Sequence, residues 1–171
     1  MNPVPATTGG AGLCSLARRA ITGWALLGGV LLLAVVLVNV WTVIGGMIGF
    51  PFAGDFELSE IGVAVAAFMF LPYCQVQGEN VTADVFTSNA SPRWLYIFTA
   101  IGGALAFVFG CLLIWRMYFG MLDQKAYNLT SAILQFPVWV AFIPILISIA
   151  FLILAALVTL VESVSGAKNA S

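Results

Sequence analysis

The chain has 171 residues, of which 62% are apolar and 8% charged, with a formal net charge of −1 and no histidine. A soluble domain carries about 45–50% apolar and about 25% charged residues, so a water-soluble fold is excluded. There is no basic stripe to neutralise nucleic-acid phosphates, and without histidine there is no His-ligated haem, imidazole-rich metal site or His-based proton transfer.

Residues 1–17 are rich in Pro, Gly and Thr and read as a disordered cytoplasmic N-terminus. Arg18 and Arg19 then precede the first apolar run, Ala20–Gly45. About 20 apolar residues, rising about 1.5 Å each, cross a hydrocarbon core of about 30 Å. This run is too long for a cleaved signal core, so it reads as an anchor retained as the first helix. Asn39 is its one strongly polar deep side chain and calls for an interhelical hydrogen bond, worth roughly 0.6–2 kcal/mol. Trp41 near its far end suits a membrane interface, where an indole keeps one edge apolar and hydrogen-bonds with the other.

The second run, Leu58–Val76, begins behind Asp55 and Glu57 and contains Glu60. Glu60 is the deeper of Glu57 and Glu60. It reads either as a polar contact to a partner helix or headgroup, or as an N-terminal acid complementing the helix dipole. Gly62 and Ala66 share a face by their four-residue spacing. After Gly78, the residues Val81, Val85 and Phe86 recur near one helical turn while Asn80, Thr82 and Asp84 face elsewhere. That pattern predicts a short amphipathic segment on the inner membrane surface.

The third run, Leu95–Trp115, is bracketed by Trp94 and Tyr96 at one end and Trp115 and Tyr118 at the other. Gly102, Ala106 and Gly110 lie at four-residue intervals, a small-residue face that admits a close neighbour from this chain or from another subunit. Arg116 closes the run and is expected to snorkel outward to a lipid phosphate. The fourth run, Phe136–Val161, has Pro137 in its first turn, Trp139 just inside and Pro144 deeper, where a kink is expected. No ionisable side chain falls at mid-depth on this reading. Cys14, Cys74 and Cys111 are too far apart for a C-x-x-C pair and read as soft wall residues.

Residues 18–163 therefore read as one all-α integral membrane domain of four transmembrane helices, with the amphipathic segment between the second and third, and 164–171 as a cytoplasmic tail. With both termini cytoplasmic, Arg18, Arg19, Arg93 and Lys168 lie inside, against Arg116 and Lys125 outside. The positive-inside rule favours that orientation. Chain physics alone thus gives a small membrane protein without proton relay, metal site or nucleophile, suited to a scaffold or accessory subunit.

Three stretches carry a resemblance. The acidic start with Glu60 leads an apolar run closing on Pro72. The stretch from Gly78 through Asn80 to Asp84 resembles a G-x-H-I/V-x-V-D segment. The stretch from Ser131 through Leu134 and Pro137 to Trp139, followed by Pro144, resembles an S/T-x-x-L-x-I/F-P-x-W opening of a helix. In this order the chain resembles the small membrane subunit, DctQ-like, of tripartite ATP-independent periplasmic (TRAP) transporters, over about Arg19 to Val161. Asn80 stands where that family often has His, and Ala83 where it has a β-branched residue. Asn80 retains hydrogen bonding but not titration.

The resemblance implies a bacterial inner-membrane scaffold that is not an enzyme. It implies a large membrane subunit holding the substrate and sodium sites, a periplasmic binding protein delivering an organic acid, and contacts with membrane lipids. No cofactor is expected in this chain. Candidate subunit contacts are Glu60, Asp84, Gly102, Ala106, Gly110 and Trp139, and Arg116 is the candidate headgroup contact. A stand-alone exporter needs a carboxylate in its first helix for proton coupling, and the first run has none. An accessory anchor for a redox enzyme brings histidine for haem.

Overall fold

The computed structural model describes the backbone of residues 11–50, 52–77 and 92–169, and the side chains of residues 15–50, 52–77 and 101–161. Four helices account for most of it: α1 Ala11–Ile48, α2 Asp55–Gln77, α3 Pro92–Ala126 and α4 Trp139–Asn169. All four are long and apolar enough to cross a membrane. The expected amphipathic segment, with Asp84, lies outside the described residues.

Each helix outlasts its apolar run. Hydropathy marks where the bilayer-compatible residues stop, whereas a helix stops where its hydrogen bonds are capped. The clearest case is α3. Arg116 does not end it, because the helix continues to Ala126. It closes where Asn128 adopts a left-handed backbone at φ 47°. There the Asn128 N–H donates to the Lys125 carbonyl at 3.2 Å, and the Leu129 N–H to the Gln124 carbonyl at 3.1 Å. This paired pattern is the Schellman termination, and Asn tolerates the conformation it needs. α1 likewise begins at Ala11, ahead of the Arg pair. α4 begins at Trp139, so Pro137 stands before the helix instead of in its first turn, and its carbonyl accepts the Val140 N–H at 3.1 Å. α4 then runs through Pro144 as one helix.

The helices form a row in the order α1–α2–α4–α3, with α1 also touching α4, and no α1–α3 or α2–α3 packing among the described residues. Small residues set the seams. A Cβ on Gly62 would stand 2.5 Å from Val35 Cγ2, and one on Gly28 would stand 3.0 Å from the Cβ of Met69. Gly62 and Ala66 thus form the close face that their spacing predicts, turned toward α1. With lipid as apolar as the helices themselves, such close packing and polar bonds hold a membrane bundle together.

Polar bonds also stitch the row, among them one from Arg18 Nη1 on α1 to the Val76 carbonyl on α2 at 3.4 Å. Asn39 Nδ2 donates to Ser59 Oγ at 2.6 Å, the interhelical bond its depth calls for. Trp24 Nε1 donates to Ser148 Oγ at 2.9 Å, joining α1 to α4. Ser148 is buried and its hydroxyl donates in turn to the Pro144 carbonyl at 2.7 Å. Around this bond lies the core of Val65, Met69, Ile145 and Ile149, with Trp24 and Leu31 packed against it.

Candidate functional site

The most organised polar cluster lies at the end of the bundle that carries the α1–α2 and α3–α4 connections. The α3–α4 connection folds into a small pinch. Thr130 and Pro137 form an isolated antiparallel bridge. The Ser131 N–H donates to the Phe136 carbonyl at 2.9 Å, and the Val138 N–H to the Leu129 carbonyl at 3.1 Å. Gln135 turns the chain at φ 52°.

Glu57, in the first turn of α2, holds this pinch. Its carboxylate accepts the Ser131 hydroxyl, the Ile133 N–H at 2.9 Å and the Leu134 N–H at 3.1 Å. A carboxylate accepting several donors at a turn ties down backbone N–H groups that have no partner in a helix or sheet. Apolar packing seals the same junction. A Cβ on Gly54 would fall 2.7 Å from Leu134 Cγ, and Gly54 has φ +106°. Glycine is needed there both for the backbone and for the space. The acidic start of α2 and the motif from Ser131 to Trp139 are therefore two halves of one clasp.

The acid that performs this task is Glu57, three residues before the candidate subunit contact Glu60. Glu60 is exposed and meets no hydrogen-bond partner among the described residues. Trp139, half-buried, receives the Lys125 ammonium 5.3 Å from its ring centroid, an attraction between cation and ring quadrupole that ties the end of α3 to the start of α4. The expected stripe of Gly102, Ala106 and Gly110 divides. Gly110 faces α4, where a Cβ would lie 2.8 Å from Ile153 Cγ1. Its companion on that seam is Gly103, seven residues away, 3.2 Å from Leu160 Cγ by the same measure. Gly102 has open space beside it, and Ala106 is half-buried. Seven residues are two turns, so the packed pair repeats on one line where a spacing of four drifts around the helix. Arg116 is exposed within α3 and has no hydrogen bond or ion pair among the described residues.

No group of three or more His, Cys, Asp or Glu side chains that could hold a metal ion occurs among the described residues. The groups of the clasp fix a connection in place: the Glu57 carboxylate accepts from the Ser131 hydroxyl and two backbone amides, and Leu134 packs on Gly54.

Residues 35–166 match the family described as tripartite ATP-independent periplasmic transporters, DctQ component. The chain belongs to the DctQ component family of TRAP transporters. No curated protein matches it, and no solved structure does. The match runs from within α1 to within α4, so it covers both halves of the clasp, all of α2 and α3, and parts of α1 and α4. This DctQ component is accordingly a multi-pass membrane protein and part of a transport system, in a family that is not one of enzymes.

Proposed function

We propose that the chain is the small permease subunit of a sodium-coupled TRAP transporter. It binds the large membrane subunit and serves as a fixed scaffold while that subunit moves an organic acid delivered by a periplasmic binding protein. It lies in the bacterial inner membrane with both termini cytoplasmic, which sets the Glu57 clasp on the periplasmic side.

The family match over residues 35–166 carries this reading. The architecture is in keeping with it. Helices in a row expose broad apolar flanks, and 6% of the apolar span of α3 is buried within the chain. Sodium needs several oxygen ligands, and the spans offer few carboxylates to supply them. Scaffold duty asks instead for a stiff bundle, which the glycine seams and the clasp provide.

The test is co-expression of the tagged chain with its neighbouring large membrane gene, extraction in mild detergent and reconstitution. A stable complex, with sodium-driven uptake that requires both chains and the binding protein, is the expected outcome. A chain that purifies alone and transports by itself would overturn the proposal in favour of a stand-alone transporter.

A further inference from the structure

We infer that the outward face of α3 around Arg116 docks a membrane helix of the large subunit, and that this helix brings an acidic side chain to the guanidinium. The inference rests on the proposed function and assigns it a surface.

The contacts along α4 fix the level of Arg116. Gly110 lies beside Ile153, and Gly120 beside Phe142, where a Cβ would stand 3.5 Å from the Phe142 ring. α3 and α4 therefore run antiparallel, and Arg116, between those two glycines, is level with the Leu146–Ser148 stretch. That is the level of the Trp24–Ser148 bond and of Ile145 and Ile149 in the core. Arg116 is thus a charge at the middle of the bundle, on its outside.

A guanidinium stays ionised in any protein setting, so it cannot escape its surroundings by losing a proton. It must reach water, a phosphate or an acid. Toward the clasp end, Asp123 is seven residues on and Lys125 nine, about 10 and about 13 Å along the helix. Arg116 forms no ion pair with Asp123 among the described residues, and the Lys125–Trp139 contact lies about 13 Å further along the helix. Toward the other end α3 has no charge until Arg93. The residues around Arg116 suit a protein neighbour. Leu112, Trp115 and Phe119 are all about half exposed or more, and recur at three- and four-residue steps. That is the pattern a helix offers to a partner helix. Trp and Arg together are the side chains most enriched where a few contacts dominate an interface. An apolar stripe with one central cation is complementary to an apolar helix with one carboxylate, and lipid tails supply only the first half of that match.

The test uses the complex of the tagged chain with the large subunit in native membranes and mild detergent, with wild type, Arg116→Leu and Arg116→Lys compared. The wild type must capture the large subunit; if it does not, the scaffold reading itself fails and this inference with it. With the wild-type complex in hand, Arg116→Leu is expected to lower its recovery at least tenfold, and Arg116→Lys to retain a clear part. The isolated Arg116→Leu chain should melt no lower than wild type, since a purely structural role would depress both readouts together. Full recovery of the complex with Arg116→Leu would overturn the inference. So would a variant that keeps the large subunit and loses bound phospholipid, which would assign Arg116 to a headgroup, or a wild-type chain whose α3 face is covered by a second copy of itself.

Discussion

The central pair of helices and the flanking α3 are all apolar enough to cross a membrane but are held in different ways. α2 and α4 each bury 33% of their apolar span within the chain, whereas α3 buries 6%. α2 is locked on one side by the Gly62–Val35 approach and the Asn39–Ser59 bond, and at its end by Glu57 on the α3–α4 connection. α3 has one seam, along Gly103 and Gly110, and a cation–ring contact at its tip. The difference teaches that hydropathy does not separate a helix that completes the fold from one that waits for a neighbour. Small residues and paired polar groups do.

The largest effect should come from overfilling the centre. Gly62→Leu drives a side chain into Val35, whose branched stem has little freedom to yield. Overpacking of this kind costs about 1–3 kcal/mol, sometimes more. The expected outcome is a clear fall in melting temperature in detergent, or loss of a monodisperse peak. Gly54→Ala should come next. It combines a positive φ with a clash on Leu134, and backbone strain of this kind alone costs on the order of 1–3 kcal/mol. Added proteolytic nicking between residues 127 and 138 would mark the loosened clasp.

Ser148→Ala removes the acceptor for Trp24 in the buried core. A buried donor left unpaired costs about 1–3 kcal/mol, so a smaller fall in melting temperature is expected, and Trp24→Phe in the same chain should recover part of it. Glu57→Gln keeps the volume but weakens the acceptor for three donors. Its effect is local: faster hydrogen exchange at the Ile133 and Leu134 amides, with the α1–α2 seam unchanged. Smallest of all is Leu105→Ala on the bare side of α3, which should leave the isolated chain within about 0.5 kcal/mol of wild type. A large loss there would break the contrast between centre and flank.

The four spans were legible because a bilayer demands about 20 apolar residues and few sequences satisfy that by chance. Asn39 was legible for a related reason, since an amide at depth needs a partner. The order of the row was not, because four apolar helices of similar length carry no label for their neighbours. Glu57 does not stand out by depth, the criterion that singles out Glu60 as a candidate subunit contact, and its partners, a hydroxyl and two backbone amides, come together only once the α3–α4 connection folds. Its signal was present nonetheless: an acid in the first turn of α2, behind Gly54. A spacing of four picks out Gly102, Ala106 and Gly110 on α3, while the contact with α4 uses Gly103 and Gly110, seven apart. Trp24 and Ser148 gave no local signal, being 124 residues apart. Arg116 looked like a helix end because the apolar run stops there, yet hydrogen bonding carries α3 on to Ala126.

The most direct measurement of the account is site-specific photo-crosslinking in membranes that hold the whole transporter. A photoreactive residue would replace Leu112 on the bare face of α3 in one sample and Ile149 in the core in another. The account predicts that position 112 captures the large subunit and position 149 does not. Capture of lipid alone at position 112, with the large subunit joined only through α1, would contradict it.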